Sequence, residues 1–355
     1  MQRYIRQLAL PEIDLIKQEH LAKSCIFVVG TGGLGAPALP YLAGAGVGHI
    51  IIADHDNIDI TNLHRQTIYT TDQAGSNKAK LCADYLRALN PEIKITAINQ
   101  KITADNITET CSPFNIDIIL DCSDNFETKC LLNSLSITIC APLITASVNQ
   151  FSGQIGVFKG YVDDAPCYRC LFEDFPDNVQ NCNEAGILGT SAGIIGTLQA
   201  HITLALMLGI EELYANNFMI CDLKTLRLER FNIPKNQHCA CNEHRKSHNI
   251  DIPPSDGKDT EMIDLISIEK LMDTDTVIVD VRQAEELEAD PLQHSLIQHT
   301  PLHIPLPELP ERTNELPNDK RVAFLCAGNI RSAQAARYMH AHGHDNVCVL
   351  DKFSI

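Results

Sequence analysis

Tryptophan is missing from this chain of 355 residues, and aromatic residues make up only 5% of it. The 45% of hydrophobic residues still supports real cores, and the length suffices for two domains, one of ordinary size and one small. Positive charge is scarce. Against 45 Asp and Glu stand 28 Lys and Arg, a formal net charge of −17. Nucleic acid and membranes are therefore not expected as partners, and a site for a phosphorylated ligand must gather its few cations locally. No uninterrupted apolar run approaches the roughly 18 residues of a membrane span. The longest apolar stretch, SAGIIGTLQAHITLALMLG (191–209), is broken by Gln199 and His201 and reads as a core helix or a subunit interface. MQRYIRQLALPEIDLIKQEH at the N-terminus is amphipathic and ends charged, unlike a signal peptide. A disulfide framework is not in evidence either, because the 14 cysteines are scattered through an enzyme-like chain. A cytoplasmic protein is expected, with cysteines serving as metal ligands, reactive thiols or small core residues.

What is present is an alternation of strands and helices. SCIFVVG (24–30), HIIIAD (49–54), IKITAIN (93–99), NIDIILDCSD (115–124) and PLITAS (142–147) read as strands, with helices through about Gly46, over 76–90 and over 126–139. This βαβαβ pattern predicts a mostly parallel sheet covered by helices. QIGVFKG, FMICDL and LRLERF read as further strands, antiparallel ones. NEHRKSHNIDIPPSDGKDTE (242–261) is polar, carries Pro253, Pro254 and Gly257, and reads as a linker. A smaller α/β unit follows, with a helix over SIEKLM (267–272), strands at TVIVDVR, RVAFLC and VCVL, and a helix from about Arg331. The expected division is a domain over 1–246, a linker over 247–261 and a second domain over 262–355. No internal repeat interrupts this order.

GTGGLG (30–35) supplies Gly30, Gly32 and Gly35 in G-x-G-x-x-G register between a strand and a helix. Glycines there let backbone approach a ligand's phosphates, whose charge the helix N-terminus favours. Asp54 ends the next strand, nineteen residues past Gly35, where a ribose hydroxyl is usually received. Alone this predicts a dinucleotide fold with NAD as the default ligand. The companions are unusual for a dehydrogenase, however. Asp56, Asn62, Arg65 and Gln66 follow in a polar loop, Lys78 opens a helix, and Asp124 and Asn125 close a strand. Cations at the C-terminal ends of neighbouring strands suit a triphosphate and a departing pyrophosphate, and an aspartate suits Mg²⁺. That equipment serves attack on an α-phosphate, not hydride transfer.

In order, RYIRQ (3–7), GTGGLG, the D-x-D of DHD (54–56), TNLHRQ (61–66), GSNKA (75–79), DCSDN (121–125), PCYRCL (166–171) and NCNEAGILG (181–189) resemble the motifs of the MoeB/ThiF/HesA adenylyltransferases, relatives of ubiquitin-activating enzymes. The likeness runs over roughly residues 3–244. It implies a Rossmann-like adenylation domain that uses ATP to activate the C-terminal carboxylate of a small ubiquitin-like sulfur-carrier protein ending in Gly-Gly. It implies that Asp54 holds the ribose, that Gly33, Asn62, Arg65 and Lys78 surround the phosphates, and that Asp124 holds Mg²⁺. The motifs also put Asp56, Thr61, Leu63, His64, Gln66 and Asn125 against the nucleotide. Arg6, by the same resemblance, reaches into a partner subunit's site, so a homodimer is expected.

Cys167 and Cys170 form a C-x-x-C pair, whose spacing lets two thiolates reach one Zn²⁺. The second pair, Cys239 and Cys241 in HCACNEH (238–244), is C-x-C where the family usually has C-x-x-C. Four thiolates are expected, with His238 or His244 as the alternative to one of them. Cys182 lies in a polar stretch, and the resemblance gives it a part as acyl acceptor or resolving thiol.

DVR (280–282), Glu285 and Glu286, HIPL (303–306) and CAGNIRS (326–332) resemble a single rhodanese domain. The resemblance implies a persulfide on Cys326, cradled by the loop Cys326, Ala327, Gly328, Asn329, Ile330 and Arg331. A thiolate at a helix N-terminus beside Arg331 is favoured electrostatically. The usual loop is C-x-x-G-x-R-S, whereas here the glycine stands one place earlier and Asn329 occupies its position; Asn tolerates positive φ well enough to close the loop. The two domains together imply adenylation of a carrier followed by sulfur transfer to give a thiocarboxylate, with a cysteine desulfurase as a suitable donor. MoeB-like motifs with a rhodanese tail favour molybdenum cofactor biosynthesis or a carrier serving several pathways. Two rival readings are an activating enzyme that forms a thioester on Cys182, and a module whose rhodanese domain only docks a sulfur donor.

Overall fold

The computed structural model describes residues 2–172, 186–210, 216–239, 241, 265–266, 276–289, 301–317 and 319–350. Cys182, His244, the expected linker and the expected helix over 267–272 lie outside these. Contacts divide the chain into two compact units, His20–Asp251 and Met1–Glu19 with Ile252–Ile355.

In the first, Cys25–Val29 (β1), His49–Ala53 (β2), Lys94–Ile98 (β3), Ile118–Asp121 (β4), Leu143–Asn149 (β5), Ser152–Phe158 (β6), Asn217–Asp222 (β7) and Arg227–Asn232 (β8) form an eight-stranded sheet in the order β3-β2-β1-β4-β5-β6-β7-β8. From β3 across to β5 neighbours are parallel, and from β5 to β8 they are antiparallel. Every residue of β1 is buried, as a central parallel strand covered on both faces requires. Strand order reverses at β1: β2 and β3 lie on one side, β4 and β5 on the other. In such a sheet the crevice beyond the carboxyl ends of the strands at the reversal is the place for a ligand.

Gly35–Ala45 (α1), Lys78–Leu89 (α2), Phe126–Ile139 (α3) and Gly189–Met207 (α4) follow or cover these strands. Gly46 ends α1 with φ +92, a left-handed cap that glycine adopts without strain. Among the described residues α4 is the one helix long and apolar enough to cross a membrane by length and composition, yet most of it is buried inside this unit. Its polar interruption has a structural use. Gln199 is buried, and its Nε2 donates to the Asp121 carbonyl at 2.7 Å, capping the end of β4.

The second unit is built on a five-stranded parallel sheet. Its strands are Leu265–Ile266 (β9), Thr276–Asp280 (β10), Leu302–His303 (β11), Arg321–Leu325 (β12) and Val347–Leu350 (β13), in the order β11-β10-β12-β13-β9. Ile330–Ala341 (α5) packs Ala335, Ala336 and Met339 against Val279, Val322 and Phe324. Leu8 and Leu15, far away in sequence, join the same core, and Gln334 Nε2 donates to the carbonyls of Leu8 and Ile13, each at 3.3 Å.

Candidate functional site

The glycine loop leaves β1 at Gly30, whose φ is +95 and whose side a Cβ would bring within 2.7 Å of the Cys122 carbonyl. A Cβ on Gly35 would fall 2.1 Å from the Gly30 carbonyl. Gly35 therefore serves the tight packing of α1 on the loop, and it does not line the cavity. Asp54, 8% exposed, braces the loop: Oδ2 accepts from the Thr31 amide at 2.8 Å and from Thr31 Oγ1 at 2.9 Å, and Oδ1 accepts from the Asp56 amide at 2.9 Å. A carboxylate offers about four acceptor sites, so these three bonds leave one for a ribose hydroxyl. Buried Tyr69 completes the brace by donating from its hydroxyl to Thr31.

A cavity of about 640 Å³ opens over this loop at the strand-order reversal. It is lined by Gly30, Gly32, Gly33, Asp54, Asp56, Thr61, Asn62, His64, Arg65, Gln66, Lys78, Asp124 and Asn125, which the sequence nominates, while Leu63 is not among its walls. Asp59 caps the short 3₁₀ turn Ile60–Asn62, and the turn brings Arg65 back so that its Nη1 donates to the Thr61 carbonyl at 3.2 Å. Arg65 also closes on the loop glycines: a Cβ on Gly33 would sit 3.4 Å from Arg65 Cδ. Lys78 is buried, with Nζ 3.1 Å from Asp56 Oδ2. Gln66 is 3% exposed, and its Oε1 has no hydrogen-bond partner among the described residues, so this wall is open to a ligand donor. Asp124 is exposed at the rim, and Asn125 caps α3 by accepting from the Thr128 amide at 2.9 Å. Arg6 is exposed and belongs to the other unit, outside this lining.

Cys167, Cys170, Cys239 and Cys241 converge, all four sulfurs lying within 4.8 Å of one another. Cys167 and Cys239 are 3.6 Å apart, and Cys170 is 3.8 Å from both Cys167 and Cys241. An ion bound tetrahedrally at about 2.3 Å from each sulfur spaces them about 3.8 Å apart, so the donor set fits Zn²⁺. The hydrogen bond between Cys170 and Cys167 lowers the Cys170 pKa, while burial raises that of Cys241. A bound cation overrides that split by deprotonating coordinating thiols outright. His238 is exposed and is not part of the group, so C-x-C supplies two thiolates without its help.

In the second unit β12 delivers Cys326 to the mouth of α5. The thiol is 2% exposed, and its sulfur lies 3.4 Å from the Ser332 amide and 3.3 Å from Ser332 Oγ. Asn329 takes φ +60 just before the helix, as its place in the loop requires. Arg331 is less free than the sequence suggests. Its two Nη atoms donate to the Glu286 carboxylate at 2.5 and 2.7 Å, and this hydrogen-bonded guanidinium holds the Glu286 pKa at about 2. The DVR motif has a bracing role, since Arg282 Nη2 pairs with Asp280 at 2.8 Å and both are buried.

Residues 4–243 match the ThiF family, and residues 266–353 match the rhodanese-like domain. The chain belongs to the ThiF family. It is 36% identical over 244 residues to the sulfur carrier protein adenylyltransferase of Thermus thermophilus, a match covering 67% of this chain and 89% of that protein. It is 32% identical over 343 residues to the adenylyltransferase and sulfurtransferase MOCS3 of Xenopus laevis, covering 91% of this chain and 73% of that one. Against several other curated relatives the match spans about half of their length. A structure of MccB from Escherichia coli superposes with a TM-score of 0.60 at 21% identity, over 67% of this chain and 73% of that chain, and shares the fold.

In this ThiF-family chain the cavity also uses residues that the sequence did not single out. Gln100 and Lys101 line it just past β3, and Ser147, Asn149 and Gln150 line it at the end of β5. Nothing in NQKIT or SVNQ marks these residues chemically. Their one signal is positional: each lies at or just past the carboxyl end of a sheet strand on the rim that holds Asp54 and Asp124.

Proposed function

We propose that the chain adenylates the C-terminal glycine of a ubiquitin-like sulfur-carrier protein and then transfers sulfur to it from a persulfide on Cys326. The observation that carries this reading is one cavity that gathers a glycine loop, Arg65, Lys78 and an exposed Asp124 at the strand-order reversal of a ThiF-family sheet, in a chain that also presents Cys326 at a helix N-terminus. Support for the carrier as substrate comes from the name of the Thermus relative, and support for sulfur transfer from that of the Xenopus relative.

ATP lies with its phosphates over Gly30–Gly33, and its ribose takes the acceptor site left on Asp54. A carrier carboxylate oxygen attacks the α-phosphorus, the bond to the β-phosphate oxygen breaks, and pyrophosphate departs with its charge met by Arg65 and Lys78. Asp124 is the open carboxylate that would hold Mg²⁺, which draws charge from the phosphates when bound. The product is an acyl-adenylate. The terminal sulfur of the Cys326 persulfide then attacks the acyl carbon and expels AMP, leaving the carrier joined to Cys326 through a disulfide-type bond. A second thiol, for which Cys182 is the candidate, attacks Cys326 Sγ and releases the thiocarboxylate, so the two cysteines end as a disulfide. A dithiol reductant then returns that disulfide to two thiols, and a cysteine desulfurase persulfide reloads Cys326 by passing its outer sulfur to the freed thiolate. Arg6 serves the cavity of a second copy in a homodimer, and the four-cysteine group holds a structural zinc with no open position.

The deciding experiment is ATP–pyrophosphate exchange with purified protein, Mg²⁺ and each candidate Gly-Gly carrier in turn. Exchange stimulated by one carrier is expected; no exchange with any of them sinks the proposal. Cys326→Ala should leave exchange intact and stop thiocarboxylate formation. Loss of both would show that the labour is not divided between the units in this way.

A further inference from the structure

Lys129 is a charge that the chemistry above leaves unused. It lies in the first turn of α3, is 4% exposed, and points away from solvent into the end of the sheet. Its Nζ donates to Asp121 Oδ2 at 2.8 Å, to the Ala146 carbonyl at 2.7 Å and to the Ser123 carbonyl at 3.2 Å. Thr145 Oγ1, 3.2 Å from Nζ, itself donates to Asp121 Oδ2. The other carboxylate oxygen accepts from the Ser123 amide at 3.0 Å and from Ser123 Oγ at 2.5 Å. Each ammonium hydrogen thus has an acceptor, and each carboxylate oxygen has two donors.

Such a network is a poor source of stability. A buried ion pair gains little over well-packed apolar residues of the same volume, because both ions lose their water. What it supplies here is geometry. Its members come from the end of β4, from the loop that carries Asp124 and Asn125, and from β5 just before Ser147–Gln150. Those last segments form two walls of the nucleotide cavity. A single side chain therefore bridges the loop that carries Asp124 and the opposite rim.

We propose that Lys129 is a positioning residue that holds the Asp124 loop and the 147–150 rim in one fixed register for a metal-bound triphosphate. The proposal rests on the adenylation reading of the cavity. It acts through other groups, because Lys129 does not line the cavity itself. A loop released by about 1 Å is enough to weaken an oriented contact about a hundredfold.

The test is Mn²⁺ uptake by the full chain with a non-hydrolysable ATP analogue, followed by electron paramagnetic resonance, for wild type, Lys129→Met and Lys129→Arg. Expected are uptake by wild type, a half-saturation for Mn²⁺ raised about tenfold to a hundredfold in Lys129→Met, and recovery of most of that loss in Lys129→Arg. The Mg²⁺ dependence of pyrophosphate exchange should shift in parallel. If Lys129→Met does not fold, the double variant Asp121→Asn, Lys129→Met removes the buried charge entirely and takes its place. Wild-type metal uptake by either folded variant overturns the proposal. Failure of the wild-type protein to take up metal with nucleotide removes the adenylation reading, and the role of Lys129 with it.

Discussion

Lys78 illustrates how much of the site is decided by single side chains. It is buried, yet its ammonium faces the cavity and rests on Asp56, which remains half in solvent. A triphosphate offers it a stronger partner than Asp56 does. Lys78→Ala should lower the pyrophosphate exchange rate by about a hundredfold to a thousandfold, the scale of losing one preorganised charge at a developing anion. An exchange rate within threefold of wild type would remove Lys78 from the phosphate site. Glu286 gives a prediction in pH. Its folded pKa, held at about 2 by Arg331, lies below the ordinary value of 4.5, so the bridge adds stability above about pH 4.5 and loses it as pH falls towards 2. Glu286→Gln should therefore lower the melting temperature at pH 7, with the gap to wild type closing as the pH is brought down. A gap that stays constant across that range would contradict the assignment. The sequence named both partners of this bridge but paired Arg331 with the sulfur, because linear distance favours a neighbour in the loop over an acid 45 residues away.

At the scale of elements, the loop before α5 is the clearest case of a local rule holding through a departure. The glycine of the usual loop has moved to Gly328, and the left-handed position falls to Asn329. Asn accepts positive φ far more readily than a β-branched residue does. Asn329→Val should destabilise the second unit by about 1–2 kcal/mol and impair persulfide loading of Cys326, whereas Asn329→Gly should do neither. Equal stability of the Val and Gly variants in a denaturant titration would show that the φ of Asn329 is not a constraint. The helices and strands of the first unit were similarly legible, down to the 126–139 helix, because an all-apolar strand followed by turn residues and an amphipathic helix leaves little ambiguity. Lys129 was not legible. A lysine four residues into a helix looks like a surface charge until β4 and β5 are placed beside it.

For the whole molecule, the four cysteines tie residues 167–170 to 239–241, a closure of about 70 residues. A metal that closes so long a loop contributes folding energy directly. We expect one zinc per chain by elemental analysis. Chelation or Cys239→Ser should lower the melting temperature of the first unit while leaving Cys326 able to carry sulfane sulfur. Zinc well below one per chain in freshly purified protein would refute the site, as would a melting curve indifferent to chelator.

By itself the sequence determined the alternating elements, the glycine loop, the order of charged residues along the strand ends, and the two cysteine pairs, since each of these is a matter of local spacing. The tertiary structure decided what those groups touch. It used three acceptor sites of Asp54 on Thr31 and Asp56, pinned Arg331 to Glu286, buried Lys129 between two strands, and packed Leu8 and Leu15 into the core of the second unit. Hydrophobic period and motif spacing report which face of an element is covered. They carry no information about which distant segment covers it, and a charge takes its meaning from that neighbour.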